Sequence, residues 1–294
     1  MQKIKKFISN KKVSSPFKKY TVIIGGSPSK GARSPKLWNA AFKLYKIKNS
    51  MLPLDVTSKN LTNLLKALER DKNFIGGCVT IPHKESVSKW LKKRLTLTSK
   101  KIGAVNCLFR DKNGRLVGTN TDGEASIKSF KKKFGSVKNK KILLIGVGGA
   151  GKAVAAYFSG ELKRKNNLTI SGRSNNSMTF AKKIKAKWIH YKKLKKLNLN
   201  SFEIIINCTS LGFGKNENLS PILSASFKSV SKKACFFDII YKPKITKFLS
   251  LAKKNKKKIL NGLDMNLRQA VIAFGFVNRK TKTNSSTLRF MRSA

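Results

Sequence analysis

Lys141-Ile142-Leu143-Leu144-Ile145-Gly146-Val147-Gly148-Gly149-Ala150-Gly151 opens the second half of a chain of 294 residues. The stretch Lys141–Ile145 has the length and composition of a strand buried on both faces. It passes without a break into glycines, and an alanine-rich segment of helical character follows. Glycines permit a tight turn and a close backbone approach, while the helix that follows offers N–H groups and partial positive charge to an anion. A strand, a glycine loop and a helix in that order form a pyrophosphate cradle, with Gly146, Gly148, Gly149 and Ala150 at the contact positions.

Working towards the C-terminus, the spacing predicts strands at Leu168–Ser171, Glu203–Asn207, Cys235–Ile239 and Lys258–Leu260, with helices at Thr246–Lys254 and Met265–Val277. This is the rhythm of a doubly wound nucleotide-binding unit. The residues after its second strand select the cofactor. An NAD site places an acid there for the ribose hydroxyls, but this chain has Ser171-Gly172-Arg173-Ser174. Arg173 suits adenine stacking and a 2′-phosphate, so NADP is expected over NAD.

Towards the N-terminus the alternation continues. Strands are predicted at Tyr20–Ile24, Met51–Val56 and around Cys78, and helices from Ser34-Pro35 and over Leu61–Leu68. A hairpin is predicted from Cys107–Arg110 and Leu116–Thr119, closed by Asn113-Gly114. The fold class is therefore α/β: an N-terminal α/β substrate-binding domain and a Rossmann-type domain, with a C-terminal helix returning to the first. The expected boundaries are a basic, poorly ordered extension at 1–19, a substrate domain at 20–121, the NADP domain at 122–261 and a C-terminal helical segment at 262–294.

Sixty-five Lys and Arg against 12 Asp and Glu give a formal charge of +53. Such a balance points towards nucleic acid or anionic surfaces when it is gathered in one tail or patch. Here the lysines are spread over nearly every polar face, which fits a compositional bias and no specific nucleic-acid partner. The four cysteines stand singly, without metal-ligand spacing, and read as buried thiols of a reducing compartment. No signal peptide or membrane span is expected, so the protein is read as cytoplasmic, without a metal, and as a monomer or homodimer.

The chemistry is expected near Cys78-Val79-Thr80-Ile81-Pro82-His83-Lys84. The apolar strand ends at Pro82, which suits the first position of a helix, and Lys84 then falls in the first turn. A helix N-terminus repels an ammonium, so a lysine kept there is a candidate for proton chemistry, with its partner expected downstream in Asn120-Thr121-Asp122-Gly123.

Seven short motifs occur in one order: Val79–Lys84, Gly103–Asn106, Asn120–Gly123, Gly146–Ala150, Asn207–Ser210, Asp238–Tyr241, and Gly262–Met265 with Gln269-Ala270. In that order the chain resembles the shikimate dehydrogenase family from about Tyr20 to Phe276. The resemblance implies NADP-dependent, reversible reduction of 3-dehydroshikimate to shikimate. It implies Lys84 and Asp122 as the catalytic pair, and Ser34, Thr80, Asn106, Tyr241 and Gln269 as further contacts to a small ring acid. To the glycine loop and Arg173 it adds Ser174, Thr209, Ile239 and Gly262 on the cofactor side. His83 and His190 are read as packing or surface residues.

The chain also departs from the family pattern. Where the family carries Ser-x-Ser-Pro and then His-Asn, this chain has Ala32-Arg33-Ser34-Pro35 and Trp38-Asn39, so Ser27, Ser29 or Arg33 is needed to replace one hydroxyl. Cys78 stands for an asparagine, and Ser177 for a second arginine, with Lys182 and Lys183 nearby. These changes leave open a paralogue acting on quinate, an aminoshikimate or another cyclohexane carboxylate. The charge leaves open a nucleic-acid-binding protein on an inactive dehydrogenase fold.

Overall fold

The computed structural model describes residues 2–279, 281 and 283–294. The chain forms two compact units, one made of residues up to Thr121 together with Leu267–Ala294, the other of the continuous stretch Asp122–Asn266.

The first unit is built on β1 (Tyr20–Gly25), β2 (Met51–Asp55), β3 (Phe74–Val79), β4 (Cys107–Arg110) and β5 (Leu116–Thr119), in the order β2-β1-β3-β4-β5. The first three run parallel, and the β4–β5 hairpin adds antiparallel strands at one edge. Alternation along β1 divides the core. Val22 and Ile24 face one layer, with α1 (Gln2–Lys5), α3 (Ser58–Arg70) and α4 (Lys84–Leu91) supplying Ile4, Leu61, Leu64, Leu65, Leu68 and Val87. Ile23 faces the other, where α2 (Ser34–Leu44), α11 (Leu263–Val277) and α12 (Ser285–Ser293) contribute Trp38, Phe42, Phe274 and Met291. Trp38 meets Phe42 and Phe274 edge-on, at ring-centroid distances of 6.2 and 5.3 Å. The short α5 (Leu97–Ile102) precedes β4 and carries a Thr96 cap.

The poorly ordered extension expected at residues 1–19 is corrected. Ile4 and Ile8 are buried in the first core layer, and Asn10 bonds the backbone of Pro53 and Asp55 at 2.8 and 2.9 Å. Two apolar residues four apart suffice to anchor one turn of helix on α3. Burial of all four cysteines is also corrected: Cys78 and Cys107 are buried, Cys208 and Cys235 are partly exposed, and all four are free thiols.

The second unit carries α6 (Asp122–Phe134), β6 (Ile142–Ile145), α7 (Gly149–Glu161), β7 (Leu168–Gly172), α8 (Asn175–Lys183) and β8 (Lys187–His190). They are followed by β9 (Ile204–Asn207), α9 (Ser226–Ser229), β10 (Cys235–Asp238), α10 (Lys247–Lys254) and β11 (Lys258–Leu260). The six strands are all parallel in the order β11-β10-β9-β6-β7-β8, so the order reverses between β6 and β9. A ligand is bound at such a switch point, outside the carboxyl ends of the strands. Residues 262–266, grouped with the C-terminal segment from the sequence, cluster with this unit instead. The Gly262 N–H bonds the Ile240 carbonyl at 2.9 Å, and the Asn266 N–H bonds Gly262 at 2.8 Å.

Candidate active site

In the second unit, β6 delivers the chain to Gly146, whose φ of +98° turns it sharply. A Cβ on Gly151 would stand 2.1 Å from the Gly146 carbonyl oxygen, so this contact requires glycine. Gly148 is the N-cap of α7 and supplies no side-chain cap, and the first turn contains no acid. A Cβ on Gly148 would meet nothing within 4 Å, leaving open space before the helix N-terminus. The first-turn N–H groups of such a helix have no intrahelical partner and suit a phosphate. The loop therefore fits an anionic dinucleotide.

The next strand end fits the same ligand. Arg173 is exposed just beyond β7, and Ser174 caps α8 by accepting the Ser177 N–H at 3.4 Å. Ser177 is buried. Its hydroxyl donates to the Ser174 carbonyl and accepts the Trp188 Nε1–H at 3.1 Å. It is a scaffold for the loop.

The carboxyl ends of β9 and β10 are joined by a buried network that the sequence did not reveal. Asp238 Oδ2 accepts Thr246 Oγ1 at 2.7 Å and Asn207 Nδ2 at 3.1 Å, while Oδ1 accepts the Ile240 N–H at 3.0 Å. Burial raises the Asp238 carboxyl to about 6, against the pull of those three donors. Thr209 donates its hydroxyl to Asn207 Oδ1 at 2.7 Å, and the Ile239 N–H bonds the Asn207 carbonyl at 3.1 Å. Gly262 packs on the same segment, since a Cβ there would stand 2.0 Å from the Ile239 carbonyl oxygen. Tyr241, half-buried, follows in this unit, and Asp122 opens α6.

In the first unit, Lys84 is the first residue of α4. Pro82 was expected at that helix start; instead it lies in the turn before it, closed by the His83 N–H bonding the Thr80 carbonyl at 3.0 Å. His83 is a packing residue, buried, with Nε2 donating to the Val56 carbonyl at 2.9 Å. Thr80 continues the β3 register through a 2.8 Å bond from its N–H to Ile24. The Lys84 carbonyl accepts the Val105 N–H at 2.9 Å, and the Asn106 carbonyl accepts Val79 N–H at 2.8 Å.

Asn106 is the hub of this unit. Its Nδ2 donates to Thr121 Oγ1 at 3.0 Å and to Gln269 Oε1 at 3.4 Å, while Oδ1 accepts the Thr121 N–H at 2.8 Å. Thr121 Oγ1 in turn bonds the Gln269 carbonyl at 3.1 Å. Asn106, Thr121 and Gln269 thus form one hydrogen-bonded set, which fixes the residue before Asp122, and the backbone bonds of Val79 to Asn106 and of Val105 to Lys84 tie the segment from Val79 to Lys84 to the chain around Asn106. Ser34 opens α2 and is buried. Ser29, a proposed substitute for the missing hydroxyl, is committed elsewhere: its N–H donates to Asp55 Oδ1 at 2.9 Å and its hydroxyl to Oδ2. Asp55, at the end of β2, was missed; an acid closing an apolar strand was its only sequence signal.

No group of three His, Cys, Asp or Glu side chains able to hold a metal occurs among the described residues. No described helix is long and apolar enough to cross a membrane.

Known proteins match this arrangement. A family model described as the shikimate dehydrogenase substrate binding domain matches residues 24–108, and one described as shikimate / quinate 5-dehydrogenase matches residues 128–258. A shikimate dehydrogenase (NADP(+)) of Methanococcus maripaludis is 36% identical over 262 residues, covering 86% of this chain and 91% of that protein. Its counterpart from Carboxydothermus hydrogenoformans is 36% identical over 258 residues, covering 87% and 90%. A crystal structure of a shikimate dehydrogenase in complex with NADP+ is similar with a TM-score of 0.81 at 28% identity, covering 94% of this chain and 95% of that one.

Proposed function

The chain belongs to the shikimate dehydrogenase family, and on that premise we propose that it reduces 3-dehydroshikimate reversibly to shikimate with NADP. What carries the reading is the direct bonding of Asn106 to Thr121 and Gln269, which lie 15 and 163 positions away along the chain. Those contacts join Asn106 and Gln269, two of the positions read as substrate contacts, and tie the residue before Asp122 to them.

Reduction of a ring ketone needs a hydride on carbon and a proton on oxygen. NADPH, when bound, supplies the hydride. Lys84 supplies the proton: its ammonium donates to the carbonyl oxygen as negative charge develops there, and as a neutral amine it takes the proton back in the reverse direction. Asp122 keeps that amine oriented and charged. It opens α6, where the helix N-terminus favours a carboxylate. Ser34 receives the substrate carboxylate, and Thr80, Asn106, Tyr241 and Gln269 address the ring hydroxyls. On the cofactor side, the glycine loop takes the pyrophosphate, Arg173 and Ser174 the 2′-phosphate, and Thr209, Ile239 and Gly262 shape the nicotinamide end. The four free thiols fit a reducing cytoplasm, and the enzyme is expected to act as a monomer or homodimer.

One observation favours a second reading, a related cyclohexane carboxylate as substrate. With Ser29 bound to Asp55, the hydroxyl missing at Ala32 is not restored by that serine. The deciding experiment is NADPH formation by the purified protein with shikimate and NADP, run beside quinate and NAD. Turnover dominated by shikimate establishes the proposal; tight NADPH binding without shikimate turnover transfers the assignment to another ring acid.

A further inference from the structure

We propose that His190 is a second recognition residue for the 2′-phosphate of NADP, taking over from the basic group that Ser177 does not provide. The inference rests on the cofactor reading above and adds a residue to it. Ser177 cannot reach a ligand, because it is buried and its hydroxyl is committed to Ser174 and Trp188. His190 is placed where Ser177 is not. It is the last residue of β8 and pairs in register with Gly172, the last residue of β7 and the neighbour of Arg173. Parallel strands present their carboxyl ends along one edge, so His190 stands beside the loop that receives the ribose.

Side-chain direction supports the same placement. Residues two apart on a strand share a face, and Trp188 reaches α8 through its bond to Ser177. His190 therefore projects on the α8 side, next to the turn that Ser174 caps. Its ring centroid lies 6.1 Å from that of Trp188 and 5.1 Å from that of Tyr191, which restricts its swing. Nδ1 accepts the Lys192 N–H at 3.4 Å, so in the neutral ring the proton sits on Nε2 and is available to donate. The side chain is partly exposed and followed by Lys192 and Lys193, whose charge favours an anion there. A donor that meets only the 2′-phosphate discriminates NADP from NAD.

Calorimetric titration of wild type, His190→Ala and His190→Gln with NADP, NAD and 2′,5′-ADP tests this. His190→Ala is expected to weaken NADP and 2′,5′-ADP about tenfold, the scale of one lost hydrogen bond to a charged group, and NAD by less than about twofold. His190→Gln, which keeps a donor, is expected to recover most of the loss. Equal weakening of NAD, or unchanged 2′,5′-ADP binding, overturns the assignment while leaving the cofactor reading intact. Wild-type protein that binds NAD as tightly as NADP overturns both, and is seen before any variant is compared.

Discussion

Lys84 carries one amine among 65 basic side chains, and the role proposed for it rests on where its backbone is tied. Its carbonyl is bound to Val105, one residue before the Asn106 hub, while α4 begins at its own position. Lys84→Ala is expected to lower kcat by about 10²- to 10⁴-fold, the range for loss of a positioned acid. NADP affinity should stay within about twofold, because the ammonium acts on the transition state; a parallel loss of NADP binding would remove Lys84 from its role. Asp238 gives a pH signature. Its folded-state carboxyl titrates near 6, above the ordinary 3.8. Below pH 4 both folded and unfolded chains hold the proton; between 4 and 6 only the unfolded chain releases it, so stability falls across that window, by about 3 kcal/mol at most. Asp238→Asn should flatten this part of the urea-midpoint profile, and an unchanged slope would sink the argument. At this scale the positions of the glycine loop before α7, of Arg173 beyond β7 and of Lys84 in the first turn of α4 were legible, because their neighbours in the chain reveal their setting. The sequence hid Asp55 with Ser29, Ser177 with Trp188, and the Asn207–Asp238–Thr246 set, because each hydrogen bond joins separate elements.

Elements with dense apolar runs were legible from composition. β4, β5 and β11 match their predicted ends, and β6, β7 and β9 come within a residue of theirs. β8 was legible only as a strand end near His190, without bounds: it is an edge strand, Lys187–His190, with no fully buried residue to create a pattern. α12 falls in the expected C-terminal helical segment but was not separated from α11, because its cap, Asn284 bonding the Ser286 and Thr287 N–H groups, is local chemistry beside few apolar residues. Helix α7 allows a controlled test of the glycine loop. Gly151→Ala sets a methyl 2.1 Å from the Gly146 oxygen, whereas Gly160→Ala, in the same helix, enters open space. The first should cost about 3 kcal/mol or more and abolish tight NADP binding. The second should stabilise by up to about 1 kcal/mol. Thermal melts and NADP titrations of both variants check this; equal effects would mean that the Gly146–Gly151 contact does not shape the loop.

For the whole molecule the dominant fact is a charge of +53. Described acids are largely occupied locally, as in Lys128–Glu124, Lys131–Glu161 and Lys140–Glu203, at 2.5, 3.0 and 2.7 Å. Exposed pairs of this kind contribute little to stability, and the remaining lysines leave a diffuse positive field. Duplex DNA should therefore shift in a gel at low ionic strength and be released by about 0.15 M salt, since phosphate-driven binding falls steeply with salt. Retention at that salt would favour the nucleic-acid alternative.

The chain leaves the first unit after Thr121 and returns to it only at Leu267. This gives the two units different histories during synthesis. The second is one uninterrupted segment and can close as soon as residue 266 clears the ribosome. The first, though begun earlier, cannot finish until α11 and α12 are made. Until then Trp38 and Phe42 lack Phe274, and the apolar layer carrying Ile23 and Cys78 is covered by α2 alone. Nascent chains stalled within residues 122–266 thus expose an unfinished sheet face, the state in which this protein is most in need of a chaperone.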